Sequence, residues 1–140
     1  MTIFAATSCL IAMTATAGAV SAQDEYVNCA DTGFINGMLN AHNQLRAQRG
    51  IHPLVLSEDL TTYAGTRARQ LVTHFVHRGR YVENIYHGQT TTPAMVVDYW
   101  AQEPPHLSQM VLPRATHMGV GCVAVETGAP TSYVVVNYQP

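Results

Sequence analysis

The sequence predicts an α+β protein, a three-layer α-β-α sandwich around a central antiparallel sheet. Three observations predict it. The 140 residues allow one domain. In three stretches between residue 31 and about residue 102, apolar residues recur at three- and four-residue steps, which is the helical period. In the last third the period drops to two, and Val120, Cys122 and Ala124 oppose Val123 and Val125. A hairpin apolar on both faces needs cover on both sides, and the helices are there to provide it.

The first element is a leader. Residues 1–22 carry no charged side chain, hold an apolar core from Ile3 to Met13, and end in Ala19-Val20-Ser21-Ala22. Val20 and Ala22 fit the small-x-small rule of a secretory signal. Thr7, Ser8, Thr14, Thr16 and Gly18 break the run too often for a membrane anchor. Subtracting 22 from 140 leaves 118 residues, expected to be soluble and secreted without a transmembrane anchor. A polar lead follows over 23–30, and the domain proper is expected over 31–140.

Asp31 is placed to N-cap a first helix, with Ile35, Met38, Leu39, His42 and Leu45 on its inner stripe and its end near Gly50. Ser57 caps a second, with Glu58 and Asp59 at its positive end and Leu60, Tyr63, Ala64, Ala68, Leu71 and Val72 facing inward. Tyr81 to His87 alternates as a strand. Thr92-Pro93 opens a third helix with Val96, Tyr99 and Trp100 as its stripe. Pro104-Pro105 is expected to end it. Two strands over Gly119–Glu126 and Tyr133–Tyr138, joined by a turn at Gly128–Thr131, complete the chain.

Composition narrows the function. Seven arginines and no lysine stand against nine acidic residues, a net charge of −2. A nucleic-acid binder working by bulk electrostatics needs a basic excess, so no nucleic-acid partner is expected. Arg67, Arg69, Arg78 and Arg80 fall within fourteen residues. As a patch they could meet anionic headgroups or sulfated glycans, but the expectation is two solvated faces of a helix end and loop. Beyond the leader the cysteines are Cys29 and Cys122; in an oxidising compartment they are expected to pair, the alternative being two separate buried thiols.

Seven histidines are the main chemical resource. His77 and Glu83 bracket the entry to the first long strand, and Glu103 and His106 bracket the double proline. Two imidazoles and two carboxylates from separate loops could build a site for zinc or another divalent cation. The plainer reading is surface histidines near helix ends. His74 competes with His77 at three-residue spacing, and neither His-Glu-x-x-His nor Cys-x-x-Cys occurs.

The stretches His42-Asn43-x-x-Arg46, Val82-Glu83-Asn84, His106-Leu107-Ser108-Gln109-Met110-Val111, Val120-Gly121-Cys122 and Asn137-Tyr138-x-Pro140 stand in the order found in the CAP superfamily. That group holds cysteine-rich secretory proteins, antigen 5 and plant pathogenesis-related class-1 proteins. The chain resembles it over 31–140. The resemblance implies a secreted sandwich whose cleft is built by His77, Glu83, Glu103 and His106, with His77 and His106 as metal ligands and Asn84 and Gln109 as hydrogen-bonding supports. It makes the His42-to-Arg46 motif structural. This chain departs from the pattern with Val82 for Gly, Leu112 for Trp and Val136 for the usual partner of Cys122. Only Pro104-Pro105 separates Glu103 from His106, where many relatives carry an aromatic loop that takes part in sterol binding in fungal members.

The expected function is therefore a secreted, non-enzymatic protein that binds a small lipid-like or sterol ligand and a divalent metal, in defence, virulence or extracellular interaction. The alternatives are a hydrolase in which Glu83 or Glu103 is the base on a metal-bound water, and a scaffold recognised by an extracellular protein partner, its cleft inactive.

Overall fold

The computed structural model describes residues 26–89, 91–126 and 128–140, and the expected signal segment 1–22 and the first part of the lead, 23–25, lie outside them. The elements run β1 (Tyr26–Asn28), α1 (Thr32–Ala47), β2 (Val55–Leu56), α2 (Glu58–Thr73), β3 (Val82–Gly88), α3 (Pro93–Gln102), α4 (Pro104–Met110), β4 (His117–Val125) and β5 (Thr131–Gln139). The sheet order is β1-β4-β5-β3, with β2 also paired to β4. All pairings are antiparallel except the two-residue β2–β4 pair. The three expected caps are made: Asp31 Oδ1 accepts from Phe34 N at 2.7 Å, Ser57 Oγ from Leu60 N and Thr92 Oγ1 from Met95 N, both at 3.3 Å.

Two cores lie on opposite faces of the sheet. Met118, Val120, Cys122, Val134, Val136 and Tyr138 point toward α1, α3 and α4, where Met38, Val96, Val97, Trp100 and Met110 meet them. Ile85, Val123 and Val135 point the other way, toward Ala64, Ala68 and Leu71 of α2. Gly119 and Gly121 share that second face, and a Cβ at either would strike the α2 backbone at Leu60 or Ala64. The missing side chains are what let α2 lie directly on β4. Cys29 and Cys122 are bonded to each other, tying β1 to β4 across 93 residues of sequence.

Four expectations need correction. The lead over 23–30 contains β1, whose Val27 pairs with Ala124. The double proline ends α3 as expected, but Glu103 and His106 do not flank a loop: the prolines fill the first turn of α4, whose first N–H groups have no helical acceptor and so lose nothing to proline. Tyr99 is 49% exposed, and Val97 occupies the inner face in its place. Arg67 is not solvated but 4% exposed.

Candidate functional site

Arg67 organises the approach to the site. Its Nε and Nη2 donate to Glu83 Oε2 and Oε1 at 3.1 and 2.9 Å, a forked contact between two buried side chains. The remaining donors reach Gln70 Oε1 at 2.8 Å and the Val76 carbonyl at 3.0 Å. The carboxylate raises the arginine's pKa above its ordinary value, chiefly through these hydrogen bonds. Glu83 Oε1 also accepts from Gly79 N at 3.3 Å and lies 3.4 Å from His77 Nδ1. One buried ion pair thus fixes the loop between α2 and β3 and orients His77 at its tip.

A second network lies on the other face. His42 Nδ1–H donates to the Met38 carbonyl at 2.7 Å, so its Nε2 accepts from the Tyr138 hydroxyl at 2.9 Å. Asn84 Nδ2 donates to that hydroxyl at 3.3 Å and to the His106 carbonyl at 3.0 Å. Burial holds the His42 imidazole neutral, its pKa lowered to about 4, and pushes the Tyr138 phenol up. Asn43 brackets the Leu54 backbone with 3.0 and 2.7 Å bonds. Arg46 donates to the carbonyls of His52, Met110, Leu112 and Ala115. All three polar members of the His42-to-Arg46 motif are occupied in holding α1 to the segments around it.

Between these networks, along β3 at the end of the sheet order, opens a cavity of about 520 Å³. Phe75, Val76 and His77 from the α2–β3 loop form one wall, Tyr99 and His106 from α3 and α4 the other, and Ile85, Tyr86 and His87 the floor. Tyr99 stands edge-on to Tyr86 at 5.7 Å and tilted against His106 at 6.3 Å. Phe75 meets His87 edge-on at 4.7 Å. A second cavity, of about 390 Å³, shares His77 and adds Gly79, Tyr81, Glu83, Pro105 and Gln109. The expected residues are therefore distributed. His77 and His106 share the larger cavity, Glu83 and Gln109 the smaller, and Asn84 sits behind His106 as its backbone support. Glu103 lines neither; it is at once the last cap of α3 and the first of α4. It reaches the site only through its charge, which raises the His106 pKa against the larger lowering by burial and by His77.

The donor set decides what metal could fit. Among the described residues no three His, Cys, Asp or Glu side chains converge, and Arg67 withdraws Glu83 from coordination. What remains is two imidazoles on one cavity, with His106 Nδ1 buried and lacking a hydrogen-bond partner. Those residues fit a two-point site completed by non-protein ligands, not a closed structural site.

Sequence reasoning missed Arg67 and the aromatic walls. Arg67 sits on the inner stripe of α2, between Ala64 and Ala68, and that position was the available signal.

Comparison with known proteins supplies the context. The sequence model of the cysteine-rich secretory protein family, CAP, matches residues 39–138. Pathogenesis-related protein 1A of Nicotiana tabacum is 30% identical over 123 residues, covering 73% of this chain and 72% of that protein. Pathogenesis-related protein 1 of Arabidopsis thaliana is 30% identical over 120 residues, covering 73% of each. Hookworm platelet inhibitor superposes with a TM-score of 0.64 at 18% identity, over 79% of this chain and 70% of that one. NaASP2, in a crystal structure with Zn2+, superposes with a TM-score of 0.60 at 19% identity, over 80% and 84%. These structural likenesses establish the shared fold.

Proposed function

The chain belongs to the CAP, or cysteine-rich secretory protein, family, and from that premise we propose that it is an extracellular, defence-type protein without enzymatic activity. Its cavity along β3 takes a small lipid-like ligand. The single observation that carries this reading is the cavity itself: about 520 Å³, in the range of small-molecule sites, with aromatic and aliphatic walls and a few imidazoles as its polar points. The connection between α3 and α4 is Glu103 alone, so no loop shades the opening from that side. That geometry favours a flexible acyl chain over a rigid sterol.

His77 and His106 would hold a divalent cation at the polar end of the same cavity, where it would supply a positive charge for an acidic headgroup. A crystal structure of the similarly folded NaASP2 with Zn2+ is in keeping with that role. The hydrolase alternative has less support, because Arg67 holds the Glu83 carboxylate in a buried pair and Glu103 lines neither cavity. In calorimetric titrations, zinc is expected to release heat on binding the protein, and His77→Ala with His106→Ala is expected to abolish it. A fluorescent fatty acid should bind the same preparation and be weakened by Tyr99→Asp. Titrations unchanged by the histidine substitutions would remove the metal, and absence of fatty-acid binding would remove the ligand.

A further inference from the structure

We propose that the segment His74–Tyr81, with Tyr99 across from it, is a docking surface that seats the mouth of the cavity on an anionic lipid bilayer. The proposal rests on the cavity's reading as a lipid site for its purpose, but its geometry stands apart from it. Six large hydrophobic side chains are exposed among the described residues, and three of them, Phe75, Val76 and Tyr99, line this one opening. Their exposures are 42%, 40% and 49%, too much apolar surface at one site to be incidental.

The tip is held outward. Arg67 Nη2 grips the Val76 carbonyl, Glu83 takes the Gly79 N–H, and the Arg80 N–H donates to the Tyr63 hydroxyl at 2.6 Å. Phe75 is propped against His87 and Tyr133, at ring distances of 4.7 and 6.4 Å. An apolar tip with this much bracing beneath it does not owe its exposure to a frayed loop.

Charge selects the partner. Arg78 and Arg80 lie within the segment and Arg69 just before it on α2; all three are exposed, and none makes an ion pair among the described residues. The nearby acids are Glu83, buried and paired with Arg67, and Glu103 beside His106. A chain of net charge −2 thus presents two unpaired cations on its apolar tip. The Arg80 guanidinium lies 5.3 Å from the Tyr81 ring, so an amphipathic aromatic stands beside the charge. A sulfated glycan would use the arginines and leave Phe75 and Val76 in water; an anionic bilayer uses both.

The test is sedimentation of the secreted form, residues 23–140, with vesicles of phosphatidylcholine, with and without phosphatidylserine. Binding is expected only with phosphatidylserine. At about fivefold per arginine, Arg78→Gln with Arg80→Gln should lower partition roughly twenty-five-fold. Both sites are exposed, so folding is spared. The single tryptophan, Trp100, is fully buried, and Phe75→Trp therefore reports on the tip; its emission should move to shorter wavelength with phosphatidylserine vesicles alone. Equal binding to both vesicles, undiminished partition in the arginine variant, or arginine-dependent heparin retention without vesicle binding would overturn the proposal. Fatty-acid titration without vesicles separates the two readings. A wild-type protein that holds the acid but ignores vesicles refutes docking alone, and one that binds vesicles but no acid refutes the cavity's ligand alone.

Discussion

His42, Arg46 and Arg67 are three polar side chains in an interior that a sequence pattern reads as apolar. Each is accommodated by giving its polar atoms defined partners, since an unpaired buried donor or charge costs several kcal/mol. The role of His42 was legible, because it falls in step with Met38 and Leu45. The role of Arg67 was not: an arginine flanked by Arg69, Arg78 and Arg80 reads as one of a solvated group, and only the position of Glu83 sixteen residues on shows otherwise. That pairing also changes what Glu83 can do, turning an expected cleft acid into the counter-ion that positions His77. His42 supplies a prediction in pH. Its folded pKa of about 4 lies below the ordinary value of 6.5, so between them the unfolded chain binds the extra proton. Stability from this group is complete above about pH 6.5 and is lost as pH falls toward 4, by about 3 kcal/mol in all. Urea midpoints measured from pH 7 to pH 4 should show this decline, and His42→Gln should flatten it.

At the scale of elements, α2 lies directly on β4 because Gly119 and Gly121 present no side chain to the helix. Gly121→Ala drives a methyl group into the Ala64 carbonyl and is expected to cost about 1–3 kcal/mol. Gly65, one residue further along the helix, has nothing within 4 Å of a Cβ, so Gly65→Ala should stabilise by about 0.5–1 kcal/mol. Chemical denaturation of the two variants should move in opposite directions; a shared sign would refute the packing argument. The three longer helices and the hairpin were legible from period and from the Asp31, Ser57 and Thr92 caps. β1 and β2 were not, because two or three residues carry no period and their pairing is set by β4. Nor was α4, since a double proline signals a helix start and a helix stop equally. The placement of Tyr99 failed for a related reason: α3 is covered on one side only, and the stripe fixes a face to within about one residue step.

At the scale of the molecule, the sandwich and the motif residues were readable, while the cavity that gives them meaning was not. It forms where the α2–β3 loop and the edge strand that continues it meet Tyr99 and His106 from either side of the α3–α4 junction, a juxtaposition set by the sheet and not by any local pattern. The disulfide acts at this scale too. It closes a loop of 93 residues, for which the chain-entropy model gives about 4–5 kcal/mol. Reduction, or Cys29→Ser with Cys122→Ala, should lower the urea midpoint accordingly; equal midpoints with and without reductant would show that the bridge adds nothing. The two central strands, β4 and β5, are the last to be made. Tyr26 waits for Val125 and Val82 for Tyr138, so α1, α2 and α3 leave the ribosome before the two strands they cover. The sheet can therefore be completed only once the segment from His117 on has been made, and the edge strands β1 and β3 pair with strands that follow them in the chain. Pairings between elements so distant in sequence carry a loop-closure cost that slows folding, and the Cys29–Cys122 bridge, once made, spans the same distance.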